Sequence, residues 1–309
     1  LRESFYQNSK IIDVEITNYA GIDVGSNAIR LLLMSAIDYK GKTHFKKVSL
    51  VRVPIRLGQD VFTEGEISKR NTIRLISSMR AFKQLMIAHE VDFSRACATS
   101  AMREATNGKL VAEQVRNETG INLEVISGQE EADIIFSTHI ETILDTNKNY
   151  LYIDVGGGST EMTLFVKGEV ATMKSFNIGT IRLLNDLVTE EDWDEMKNWL
   201  KAHRVEFKDL EAIGSGGNIN RIYKMNQKMN WQPLYRDELV ESAERINNMT
   251  YEERLILLNM NLDRADVVQH ASNIFLKVTK WAKIRKIHVP KVGLADGMIR
   301  QMHEERNSK

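Results

Sequence analysis

Apolar residues along this chain alternate between two spacings. Some segments carry them at every second position or in short unbroken runs, as strands do, and others every three to four, as helices packed on one face do. Residues 19–24 and 29–34 read as two strands around a short turn, and 152–155 with 162–166 repeat that pattern a domain's length later. Residues 46–56 alternate like a strand and end at a turn, Leu57-Gly58-Gln59-Asp60. From 68 to 89, the positions of Ile73, Leu75, Ile76, Met79, Phe82, Leu85 and Met86 predict an amphipathic helix laid on a sheet. Strands follow at 95–99 and 123–126, with one helix opening between them and another running from Ser127 through 133–145, where Ile134, Ile135, Ile140, Ile143 and Leu144 keep its period. After the second hairpin come a strand at 172–176, two helical regions with Trp193, Trp199 and Leu200, a strand ending near Ile213, and a helix at 219–225. The last third is helical, with one long helix bearing Lys277, Lys280 and Lys283, a final strand at 288–294, and a closing helix opened by Asp296-Gly297. Residues 1–18 are polar and mixed, a short strand or an extension. This order predicts an α/β protein.

Composition narrows the picture. At 309 residues there is room for two domains. The 42 basic and 42 acidic residues balance, so no global field favours nucleic acid or membrane, and a polyanion would need a local basic patch. The single cysteine, Cys97, excludes an intrachain disulfide and a CxxC metal site, and none of the seven histidines falls in a zinc motif. No apolar run reaches the ~18 residues of a membrane span. The N-terminus lacks the apolar core of a signal peptide. The expected location is the cytoplasm.

The candidate chemistry sits at the turns. Asp154-Val155-Gly156-Gly157-Gly158-Ser159-Thr160-Glu161 joins two strands, with no lysine to make a Walker loop. Such a turn either only reverses the chain or points several N–H groups at an anion. Its echo at Asp23-Val24-Gly25-Ser26-Asn27 favours the second reading: two similar halves sharing a phosphate site. Arg56, beside Gly58, is either an exposed strand-end arginine or a bidentate phosphate donor. Arg103 opens a helix just past a strand, where α/β ligands tend to sit. Ser127 and Glu130 fit a capping box, which gives Glu130 a structural task and leaves Glu131 to point elsewhere. The helix N-terminus favours the ionised form of Glu131, as a general base requires, although a solvated Glu-Glu pair is the plainer alternative. A third loop, Gly214-Ser215-Gly216-Gly217-Asn218, precedes a helix and is either a plain loop or another anion site. Lys277, Lys280, Lys283, Arg285 and Lys286 form the most basic segment, a solvated face or a track for a polyanion.

Two Asp-Gly hairpins and a Gly-rich loop before a helix resemble the actin, sugar kinase and heat-shock chaperone superfamily. The likeness goes further. Asp23-Val24-Gly25-Ser26-Asn27 with Arg30, Arg56-Leu57-Gly58, Thr99-Ser100-Ala101-Met102-Arg103, Ser127-Gly128-Gln129-Glu130-Glu131, the stretch from Asp154 to Glu161, and Gly179-Thr180-Ile181-Arg182 are similar to the ordered motifs of the exopolyphosphatase/guanosine pentaphosphate phosphohydrolase family. The resemblance implies two ribonuclease H-like domains, 1–132 and 133–309, with the closing helix near 295–309 packing back on the first and an active-site cleft between them. It implies a Mg2+-dependent phosphoric anhydride hydrolase that removes terminal phosphate from inorganic polyphosphate or, alternatively, the 5′ γ-phosphate of guanosine pentaphosphate. A non-catalytic sensor of these molecules on the same fold is a further alternative. Glu131 is implied as the base on the attacking water, Glu161 as a second carboxylate on that water or the metal, Asp154 with Glu161 and Asp23 as metal ligands, and Arg103 as a charge stabiliser. Phosphate binding is implied for Gly25, Ser26, Asn27, Arg30, Arg56, Gly156, Gly157, Gly158, Ser159, Thr160, Gly214, Ser215 and Gly216. A homodimer is implied too. The chain departs from the family pattern at Ala28, where a serine is usual, and at Ala295-Asp296-Gly297, which replaces Arg-Glu-Gly and removes a basic contact. It stops before the C-terminal domain of longer members, which points to shorter polyphosphate chains as substrates.

Overall fold

The computed structural model describes residues 14–138, 145, 147–204, 209–229 and 232–308. β1 (Val14–Val24) and β2 (Ile29–Tyr39) pair antiparallel with Asp23 opposite Arg30, and β3 (Lys42–Val53) adds antiparallel to β2. The chain leaves the sheet through α1 (Leu57–Glu64) and α2 (Lys69–Ala88), the latter capped by Ser68. The turn expected at Leu57–Asp60 is thus the first turn of α1. Arg56 makes the reversal itself, at φ 63 and ψ 46, and Leu57 and Val61, four apart, bury the helix on the sheet. β4 (Phe93–Ala98) returns parallel to β1, and α3 (Ser100–Glu104) and α4 (Gly108–Thr119) lead to β5 (Leu123–Val125), parallel to β4. The sheet order is β3-β2-β1-β4-β5. α5 (Gly128–Phe136) then starts at Ser127, where the capping box forms as expected, with Ser127 Oγ accepting from Glu130 N–H and Glu130 accepting from Ser127 N–H. Ile140, Ile143 and Leu144 lie outside the described residues, as do residues 1–13.

The second half repeats the plan. β6 (Asn149–Val155), β7 (Thr160–Val166) and β8 (Glu169–Phe176) run antiparallel in turn, and α6 (Thr180–Leu184) and α7 (Glu190–Arg204) follow. β9 (Glu211–Ser215) lies parallel to β6, followed by α8 (Gly217–Met225), β10 (Leu234–Tyr235), α9 (Arg236–Asn247), α10 (Tyr251–Ile256), α11 (Leu262–Ala265) and α12 (Val268–Trp281). β11 (Lys286–His288) runs parallel to β9, and α13 (Leu294–Asn307) closes the chain. The order β8-β7-β6-β9-β11, with β10 added at the edge, reproduces that of the first sheet. The molecule is an α/β protein of two ribonuclease H-like units.

The expected basic row on the long helix is broken. α12 ends at Trp281, and Lys283 follows in the left-handed region at φ 54, so it no longer shares a helical face with Lys277 and Lys280. Lys277 Nζ lies 4.6 Å from the centre of the Trp193 ring, and Lys286 pairs with Glu211 at 3.4 Å.

Each sheet has its own apolar core, and a third core joins them. It combines Tyr19, Leu32 and Met34 of the first sheet, Tyr150, Tyr152 and Phe165 of the second, Ile134 and Ile135 of α5, and Met298 and Ile299 of α13. α13 packs on β1, β2 and β4 and on α5, while α5 reaches β7 and β8. Cys97 is fully buried in this layer, and burial pushes its thiol up to about 12. Only the thiolate is a good nucleophile. Native protein at pH 8 therefore takes up no iodoacetamide, and unfolded protein takes up one equivalent. Mass spectrometry showing rapid native labelling would contradict this packing.

Candidate active site

The two hairpin turns meet head on. In each, the leading glycine N–H bonds back across the turn, Gly25 to Ala28 O at 3.2 Å and Gly156 to Ser159 O at 2.9 Å. The N–H groups of Ser26, Asn27, Gly157 and Gly158 make no hydrogen bond to other described residues. Four uncommitted donors at facing turns suit an anion. The glycines have a second cause. A Cβ on Gly157 would come within 2.9 Å of Ser26 Cβ and 3.4 Å of Asn27 N, and one on Gly158 would run into Ser100 Oγ and the Phe62 ring. Close approach of the two halves demands glycine there, whatever binds between them. Arg182 braces the second turn by donating to Gly158 O at 2.8 Å, pairing with Glu104 across the halves and stacking 4.2 Å over Phe62.

Between the turns lies a cavity of about 230 Å³ with one acidic and one basic wall. The acidic wall comprises Asp23, Glu131, Asp154 and Glu161. Asp154, next to last in β6, lies directly opposite Glu161 of β7, so strand register alone places both on one face. Ser159 Oγ and Ser175 Oγ both donate to Glu161 Oε1, at 2.5 and 3.1 Å. Asp23 is paired with Arg30. Glu131 arrives from the first turn of α5. It is buried, its Oε2 has no hydrogen-bond partner among the described residues, and Arg103 Nη1 stands 3.9 Å away. Burial, then the neighbouring Glu161, Asp154 and Asp23, hold the Glu131 carboxyl well above its ordinary range. Burial and Glu161 raise Asp154 to about 7, and burial raises Glu161 as well. Such crowding calls for more positive charge than Arg30 and Arg103 supply.

That shortage fits a divalent cation. The donors are hard oxygens, one buried oxygen is orphaned, and the acids repel one another. Among the described residues no three side chains form a complete protein cage. Mg2+ does not ask for one, since it typically takes one or two carboxylates plus waters and phosphate oxygens.

The basic wall holds Arg30, Arg52 and Arg264. Arg52 is held by Asp263, and Arg264 lies against Gly217, where a Cβ would sit 2.8 Å from Nη2. Burial, then Arg52 and Arg30, bring Arg264 down to about 10. Three crowded guanidiniums are what an anion relieves. Lys47 and Lys291 line the rim, Lys47 held by Asp296 at 2.7 Å, so basic side chains still stand beside the end marked by Ala295-Asp296-Gly297.

Of the residues predicted from sequence, Asp23, Gly25, Ser26, Asn27, Arg30, Glu131, Asp154, Gly156, Gly157, Gly158, Ser159, Glu161, Ser215 and Gly216 line this cavity. Four others do not. Arg56 pairs with Asp266 at 2.6 Å, and the Thr160 hydroxyl donates to Ile178 O. Gly214 faces Ile219, Ile287 and Phe275. Arg103 stands behind Glu131, donating to Ile126 O at 2.9 Å. Sequence reasoning missed Arg52, Arg264, Asn220, Lys47 and Lys291, which also line the cavity.

Fold and cleft together define a two-domain protein with facing amide turns, a cation-seeking wall and an anion-seeking wall. Residues 36–306 match the Ppx/GppA phosphatase family, and the chain belongs to it. It is 29% identical over 280 residues to a bifunctional 3-dehydroquinate synthase/phosphatase of Fusobacterium nucleatum, covering 84% of this chain and 41% of that protein. It is 26% identical over 279 residues to exopolyphosphatase 2 of Mycobacterium tuberculosis, covering 82% and 87%. The crystal structure of an exopolyphosphatase from Cytophaga hutchinsonii superposes with a TM-score of 0.82 at 25% identity, over 94% of this chain and 98% of that one.

Proposed function

We propose that this chain is an exopolyphosphatase, a Mg2+-dependent hydrolase releasing terminal orthophosphate from inorganic polyphosphate. The observation that carries this reading is Glu131, a buried carboxylate with an unspent oxygen, facing two turns of uncommitted amides. The amides of Ser26, Asn27, Gly157 and Gly158 would hold the terminal phosphoryl oxygens, and Arg30, Arg52 and Arg264 the phosphates behind it. Glu131 would accept the proton of a water as its oxygen bonds to the terminal phosphorus and the bridging P–O bond breaks toward the chain. Glu161, its Oε1 fixed by two serines, would orient that water with its other oxygen. Asp154 and Asp23 are the residues that would hold Mg2+, which would supply the positive charge that the phosphoryl oxygens and the crowded acids, Glu131 among them, call for. Phosphoryl transfer asks a protein mainly for this positioning and electrostatic support.

The test is phosphate release, with Mg2+, from short polyphosphate, long polyphosphate and guanosine pentaphosphate. Release from polyphosphate supports the reading. Release from guanosine pentaphosphate alone moves the substrate to the nucleotide, and no release from any of the three sinks the enzyme. A non-catalytic sensor has no use for Glu131, Asp154 and Glu161 together, and all three line the cleft.

A further inference from the structure

One buried polar group next to the acidic wall is unexplained by the chemistry above. Tyr152 lies on β6 two residues before Asp154, so both side chains leave the same face of the sheet. Its ring is 1% exposed among the apolar side chains that join the two halves. Its hydroxyl is buried and has no hydrogen-bond partner among the described residues. A phenylalanine would fill the same space without leaving a buried hydroxyl unsatisfied.

The surroundings indicate where the proton belongs. The groups that act on the phenol are the Asp154, Glu131 and Glu161 carboxylates and the Ser215 hydroxyl. A neutral phenol has one O–H to donate, and Ser215 lies two residues beyond Ile213, the β9 partner of Tyr152, on the same side of the sheet. Ser215 ends β9 directly opposite Asp154, and its Oγ donates to Val292 O over a long 3.2 Å. So long an O–H···O bond is weak. The serine proton can turn from Val292 to the carboxylate at small cost, while the Oγ lone pair stays open to the phenol.

We propose that Tyr152 is a positioning residue of the cation centre. Its O–H donates to Ser215 Oγ, whose own proton then serves Asp154 and fixes that carboxylate in its ligating orientation. This rests on the reading of Asp154 as a cation ligand. Residues that orient a ligand from behind change metal affinity by roughly 10- to 100-fold when removed.

The experiment measures Mn2+ binding, as a spectroscopic stand-in for Mg2+, to metal-free and substrate-free protein by electron paramagnetic resonance. Tyr152→Phe is expected to weaken Mn2+ binding roughly 10- to 100-fold with an unchanged or raised thermal midpoint. Ser215→Ala, which leaves the ring packing alone, is expected to give the same loss, and Asp154→Asn a larger one. If Asp154→Asn loses Mn2+ while Tyr152→Phe and Ser215→Ala bind as wild type, the inference falls and the metal reading stands. If Asp154→Asn also binds as wild type, Asp154 is no ligand and both fall.

Discussion

Glu131→Gln lowers the rate of phosphate release by about 10²- to 10⁴-fold, the range over which a positioned general base acts. The substitution is isosteric and removes the ability to take a proton. It also removes a charge that the structure holds at a cost, since Glu131 is buried, crowded by three other acids and without a hydrogen bond at Oε2, where Arg103 offers only a long ion pair at 3.9 Å. The variant is therefore expected to unfold at the same temperature as wild type or higher. That opposition separates catalysis from folding: a residue kept for stability would not be improved by losing its charge. Steady-state phosphate release and thermal unfolding, measured on the same preparation, decide the matter. A variant that keeps its rate within a few-fold removes Glu131 from the role of base, whatever its stability. Polyphosphate binding to the variant should change little, because the amides and arginines that would grip the chain are elsewhere.

What could be read from sequence was local. The capping box at Ser127 is decided by residues three apart, and it alone told Glu130 from Glu131. The two hairpins were legible because a strand's period and a glycine turn are both short-range signals. The sheet order follows from them, since each half opens with a hairpin and then needs crossovers to add parallel strands. Apart from Arg30, beside the first hairpin, the basic wall was not legible. Arg52, on β3, and Arg264, near the end of α11, approach only after both domains fold, and no spacing along the chain anticipates their meeting. Arg56 failed for the opposite reason. Its neighbourhood in sequence was right, but Asp266, from the far end of the chain, holds its guanidinium outside the cavity. Long-range ion pairs decide which arginine faces the cleft, and sequence pattern is blind to them. The glycines at Gly157 and Gly158 were read as room for an anion, and the structure adds room for the other hairpin.

Gly297→Ala is expected to destabilise the protein by about 3 kcal/mol, the upper end of ordinary overpacking losses in a core. Gly297 lies in the first turn of α13, and a Cβ there would drive into the carbonyl oxygen of Ile134, with Ile134 C at 2.7 Å and Cγ2 at 2.9 Å. The obstruction is helix backbone, which cannot rotate away as a side chain can. Alanine is otherwise the better helix residue by roughly 1 kcal/mol, so any loss must come from the contact. Gly293→Ala is the control. It lies in extended backbone just before the same helix, nothing stands within 4 Å of its missing Cβ, and it should change stability by less than ~0.5 kcal/mol. The consequence reaches the active site, because Ile134 is one turn from Glu131 on α5. To admit the methyl, α5 and α13 must separate, and α5 carries the base. Folded Gly297→Ala protein, assayed well below its lowered midpoint, should therefore release phosphate more slowly than wild type, with the loss in kcat. Equal stability would mean that the two helices are less closely seated than the structure has them. Lowered stability with full kcat would mean that α5 holds Glu131 in place without help from α13.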